Sequence, residues 1–99
     1  MPTVQQVILN LLSGIDDPAM RMDIARTLMF LASVYASGRA PEEEIENSVY
    51  EVVYTVVKLK NPGLDPKELR KMAARMTAEV MDAFRAQALF SRVAARIGI

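Results

Sequence analysis

The chain contains neither cysteine nor histidine. Disulfides are therefore impossible, and zinc sites built on thiolate or imidazole are excluded. The commonest acid–base group and the thiol nucleophile are missing, so no enzymatic activity and no cofactor are expected. Carboxylate-bridged metal bundles need a Glu-x-x-His pair on their helices, which this chain cannot supply. There is no glycine-rich phosphate loop: Asn61-Pro62-Gly63-Leu64-Asp65 precedes a helix but offers one glycine, which is a turn signal. No apolar run approaches the roughly 20 residues of a membrane span. The longest, Leu28 to Ala36, is far too short, so no membrane partner is expected. Met1-Pro2-Thr3 lacks the basic and apolar regions of a signal peptide, and with the absence of cysteine this points to the cytoplasm. Net charge is zero, whereas dedicated nucleic-acid binders usually carry a basic excess.

What remains is apolar. Hydrophobic residues make up 52% of the 99, too many for a disordered chain. The length suits one domain, residues 1–99, with a thin core, and the apolar share is generous for so little interior. Asparagine and glutamine are few and arginine outnumbers lysine, a composition that fits a thermophilic source.

Three short breaks divide the chain: Ser13-Gly14-Ile15-Asp16, Ser37-Gly38-Arg39-Ala40 and Asn61-Pro62-Gly63-Leu64. Each holds a glycine suited to a left-handed helix end, and their shortness makes successive helices antiparallel. The expected fold is all-α: a four-helix bundle-like domain with short loops and a long C-terminal helix. The helices fall at about residues 4–12, 18–36, 41–60 and 66–97. Thr3 and Gln6 form a capping box for the first. Asp17 caps the second, with Pro18 at its first position. Glu42, Glu43 and Glu44 open the third and Lys58 and Lys60 close it, complementing the helix dipole. Asp65 caps the fourth, with Glu68 closing a box and Leu64 stapling onto Leu69. The segment from Tyr50 to Val57 is rich in β-branched and aromatic residues, and a strand there would give a winged-helix-like domain. Helix is preferred, because the caps agree with the apolar spacing of Ile45, Val49, Val52, Val56 and Leu59.

The helical wheels show more apolar surface than one core needs. On the second helix Ile24, Leu28, Leu31 and Tyr35 share a face that Met22, Ala25, Met29, Ala32 and Ala36 widen, the pattern of a helix surrounded by others. Phe30 lies inside its polar strip. The third helix adds a second stripe of Tyr50, Val53, Tyr54 and Val57. That stripe either packs on the first helix or marks a contact surface. The fourth helix measures about 48 Å against about 30 Å for the third. Leu69, Met76, Ala83, Phe90 and Ile97 recur every seven residues along it, with Ala73, Val80 and Ala94 on the same seam. Gln87 lies on the seam, either where the apolar face drifts toward Ala86, Leu89, Phe90 and Val93, or as a buried amide that fixes register.

The expected function is a non-enzymatic protein-interaction or assembly domain that self-associates, most readily as a two-fold dimer. Its expected interface is Tyr50, Val53, Tyr54, Val57, Phe90 and Val93, with Phe30 a further member. Charge segregates too: the third helix is acidic and the fourth basic, so an antiparallel pair brings the start of one near the basic end of the other. The alternative is a small helical nucleic-acid-binding or regulatory protein with Arg85, Arg92 and Arg96 facing phosphate. It is less favoured, because a recognition helix would then begin with three glutamates. Glu42 to Glu46 could gather a hard cation, but consecutive helical residues point apart, and a solvated first turn explains them better.

Overall fold

The computed structural model describes residues 2–98. It holds four α-helices: α1 (Val4–Leu12), α2 (Pro18–Ser37), α3 (Glu42–Lys60) and α4 (Pro66–Arg96). Among the described residues there is no strand, and Tyr50 to Val57 lies inside α3. No helix of the described residues is long and apolar enough to cross a membrane.

The helix ends follow local chemistry. Thr3 and Gln6 form the reciprocal capping box, Asp17 accepts from the Ala19 amide, and Asp65 accepts from the Lys67 amide. Gly38 closes α2 at φ 70°, a left-handed position where a side chain would be strained. Two expected end signals act differently. Gly63 has no left-handed backbone; α3 ends instead on Asn61, whose side-chain amide donates to the Val57 carbonyl at 3.0 Å. Glu68 does not complete a box with Asp65 but pairs with Lys71 at 3.5 Å, one turn along the exposed surface.

The helices run alternately up and down. The start of α1 lies by Ala83 and Phe90 of α4, and Leu11 lies by Met76. Glu42 at the start of α3 meets Arg85, and Asn61 at its end meets Met72. Tyr35, late in α2, packs its ring 6.1 Å from that of Phe84. One hydrophobic core joins all four helices.

Burial corrects the wheels in three places. On α3 the buried residues are Ile45, Val49, Val53, Val56 and Val57, while Val52 is half-buried and Leu59 is 50% exposed. The core face is therefore turned by about 50° from the predicted stripe, at 100° per residue. Neighbours on several sides (α4, α2 and the end of α1) cover a wide arc, and Val53 and Val57 fall within it. These two valines belong to the chain's own core and not to an exposed stripe. On α2 only Leu28 and Ala32 are buried, and Met22, Met29 and Phe30 are exposed. That helix lies against the others on one face and is not surrounded. On α4 the buried row is Leu69, Ala73, Thr77, Val80, Met81, Ala83, Phe84 and Ala88. The seven-residue seam is buried at Leu69 and Ala83 and half-buried at Met76, but Phe90 and Ile97 are exposed, as is Gln87. Within the single chain Gln87 is therefore not a buried amide.

α1 has nine residues and is too short to hold together by itself. Its last carbonyls, and that of Ile15 in the turn after it, are tied from outside. Arg21 donates to the Leu12 and Ile15 carbonyls at 2.7 and 2.9 Å, and Lys60 donates to the Leu11 carbonyl at 2.9 Å. A Lys60→Met variant should lose about 1.5–3 kcal/mol of stability in urea titration, the usual worth of a hydrogen bond involving a charged group. Amide exchange should quicken first in α1.

Thr77 faces the core with its hydroxyl buried and unpartnered. An unsatisfied buried hydroxyl costs about 1–3 kcal/mol, and valine has the same shape. Thr77→Val should raise stability by about 1 kcal/mol, read as a melting temperature higher by about 4–8 °C.

Candidate interaction surface

α4 is a single uninterrupted helix of 31 residues, while its neighbours have 9, 20 and 19. Burial along it stops at Ala88. Beyond that point the helix continues for more than two turns with Leu89 60%, Phe90 73% and Val93 48% exposed, and Ile97 at its C-cap is 65% exposed. Ala86, Phe90, Val93 and Ile97 follow at intervals of four, three and four residues, one face of a helix. From Phe90 onward this face is apolar and exposed, with nothing among the described residues covering it.

At its inner end the face runs into a groove. Pro2, Val4 and Gln5 at the start of the chain and of α1 form one wall, and Ala83, Ala86, Gln87 and Phe90 of α4 form the other, around an open groove of about 400 Å³. The groove exists because α1 begins alongside Ala83 to Phe90 and small alanines face it there.

The other expected interface residues are scattered. Tyr50 and Tyr54 are half-buried on the flank of α3, their rings 6.0 Å apart and both packed against the core. Phe30 is 65% exposed on the outer face of α2, where Met22 and Met29 are also open. Phe90 and Val93 share the bare end of α4. The expected set therefore resolves into a core pair (Val53, Val57), a half-buried flank (Tyr50, Tyr54) and two separate exposed patches. Leu89 and Ile97, not named in the expected interface, are exposed beside Phe90 and Val93; their signal was the surplus length of α4 beyond its neighbours.

The three arginines of the alternative are not equivalent. Arg85 bonds Glu42 through Nη2 at 2.7 Å and Nε at 2.8 Å, and Asp82 through Nη1 at 2.9 Å. The Glu42 hydrogen bond raises the guanidinium pKa above its ordinary value, desolvation opposes this, and the charges of Glu42, Tyr35 and Asp82 add to the rise. Tyr35 also donates to Glu42, at 3.4 Å. Arg85 thus ties α3 to α4 and is committed inside the fold, as the opposed charges of the two helices imply. Arg92 and Arg96 are exposed and make no ion pair among the described residues. The acidic start of α3 gathers no cation cage, and among the described residues no three carboxylates converge as metal ligands.

No protein-family model matches the chain, and no curated protein or solved structure matches it. The surface must be read from its own chemistry.

The Glu42–Arg85 pair is about half exposed on both sides, so water screens it. Glu42→Gln should change stability by less than about 1 kcal/mol in denaturant titration, with the difference shrinking as salt is added.

Proposed function

We propose that this chain is a non-enzymatic assembly module that binds a second copy of itself through the bare end of α4. The observation that carries this reading is the run Leu89, Phe90, Val93 and Ile97, exposed on a helix that outlasts its bundle. Covering a large apolar side chain stabilises by about 1.5–3 kcal/mol, so four of them side by side constitute a strong drive to associate. Closed two-fold pairs are the commonest way for one chain to satisfy such a face. The exposed patch around Phe30 is a secondary contact. The chain's lack of imidazole and thiol supports a role in binding over catalysis, and its lack of cysteine fits a cytoplasmic setting. The arginine composition fits a thermophilic host. The phosphate-binding alternative keeps only Arg92 and Arg96, since Arg85 is engaged by Glu42 and Asp82.

The test is molar mass by light scattering across a range of concentrations. Wild type should move from monomer toward dimer as concentration rises. Phe90→Glu should weaken association by at least about 30-fold, as loss of a central aromatic contact does. Its helicity and its melting temperature at low concentration should be those of wild type, because Phe90 is 73% exposed. A wild type that stays monomeric at high concentration, or a Phe90→Glu variant with unchanged mass, would overturn the proposal.

A further inference from the structure

The bare face of α4 has an internal symmetry. Ala86, Phe90, Val93 and Ile97 are spaced four, three and four, so the order of intervals is the same read in either direction. The midpoint falls between Ser91 and Arg92. A two-fold axis through that point, perpendicular to the helix, lays a second copy antiparallel on the first. Ala86 then meets the partner's Ile97, and Phe90 meets the partner's Val93. Each layer sets a larger side chain against a smaller one, the arrangement that interdigitates without voids. A parallel pair would stack Phe90 on the partner's Phe90 and leave an Ala86–Ala86 layer hollow beside it. Antiparallel pairing also opposes the two helix dipoles favourably.

The groove at Ala86 gives this register a second, independent feature. Ile97, the capping residue just past the last turn of α4, is 65% exposed. In the antiparallel register the partner's Ile97 arrives where Ala86 and Phe90 face Pro2 and Gln5 across about 400 Å³ of open space. On one flank of the seam Leu89 lies along the aliphatic stem of the partner's Arg96, whose charged end remains in water.

We infer that two copies dock antiparallel through the ends of α4, the Ile97 side chain of each filling the groove between α1 and α4 of the other. This rests on the self-association proposed above and specifies its geometry.

Two sets of variants test the register. The chain has no cysteine, so an introduced thiol is unique. Ala86→Cys and Ile97→Cys proteins should each fail to cross-link alone with a short bismaleimide and should cross-link to each other when mixed. Cross-linking within Ala86→Cys alone would show a parallel pair and overturn the inference while leaving self-association standing. Ala86→Ile and Ile97→Ala should each weaken the dimer about tenfold, one by crowding the layer and the other by hollowing it. The double variant should recover most of the loss, because the volumes are exchanged within one layer. Losses that simply add would overturn the pairing. An amphipathic end flanked by Arg92 and Arg96 also suits an anionic lipid surface. Co-sedimentation with phosphatidylserine vesicles by a wild type that never dimerises in solution would overturn both the register and the self-association. A wild type that binds neither itself nor vesicles would do the same.

Discussion

A helix rises about 1.5 Å per residue, and that number constrains this molecule more than any single contact. The 31 residues of α4 reach about 46 Å, and the 19 of α3 only about 28 Å. The long axis of the molecule, 50 Å, is close to the length of α4. Three shorter helices joined by tight turns cover α4 as far as Ala88 and no further. The core, the groove beside Pro2 and the bare apolar face all follow from where that cover stops. Below Ala88 each turn of α4 contributes a buried residue; above it the same kind of side chain meets water.

Much of the fold was legible because its punctuation is chemical and local. Thr3 with Gln6, Asp17 with Pro18, and Asp65 with Pro66 announce helix starts through groups a few residues apart. The β-branched run in α3 was outweighed by glutamates at one end and lysines at the other, and the structure follows the ends. Glu68 shows the limit of such signals. The box spacing was correct, but Lys71 offers its carboxylate an alternative partner one turn on.

Rotation about a helix axis was harder to read, for a physical reason. Periodicity says which residues share a side, but not how wide an arc the neighbours will cover. Leu59 lies on the stripe that begins at Ile45 and is left half-exposed; Val53 lies off that stripe and is sealed. Phe84, among the largest fully buried side chains, was concealed because the seven-residue seam passes through Ala83 beside it. It lies on the row Val80, Phe84, Ala88, whose four-residue steps wind about 40° each around the helix and away from that seam. The candidate surface was half legible. The surplus length of α4 and Phe90 and Val93 upon it were visible in sequence, but Val53 and Val57 could be told from surface residues only once the position of α3 was known.

The groove has one further consequence, since its two walls come from opposite ends of the sequence. One wall is the start of α1, a nine-residue helix whose far end is held by Arg21 and Lys60. The other is the stretch of α4 from Ala83 to Phe90. Whatever fills the groove grips both walls, so it favours the state in which α1 is seated over the state in which α1 has peeled away. Thermodynamic reciprocity makes the same energy run backwards: each increment by which α1 is held in place is an increment in affinity for the occupant. Lys60, 49 residues from Leu11 in sequence and bonded to its carbonyl, would by this linkage influence any binding at Phe90 without touching it.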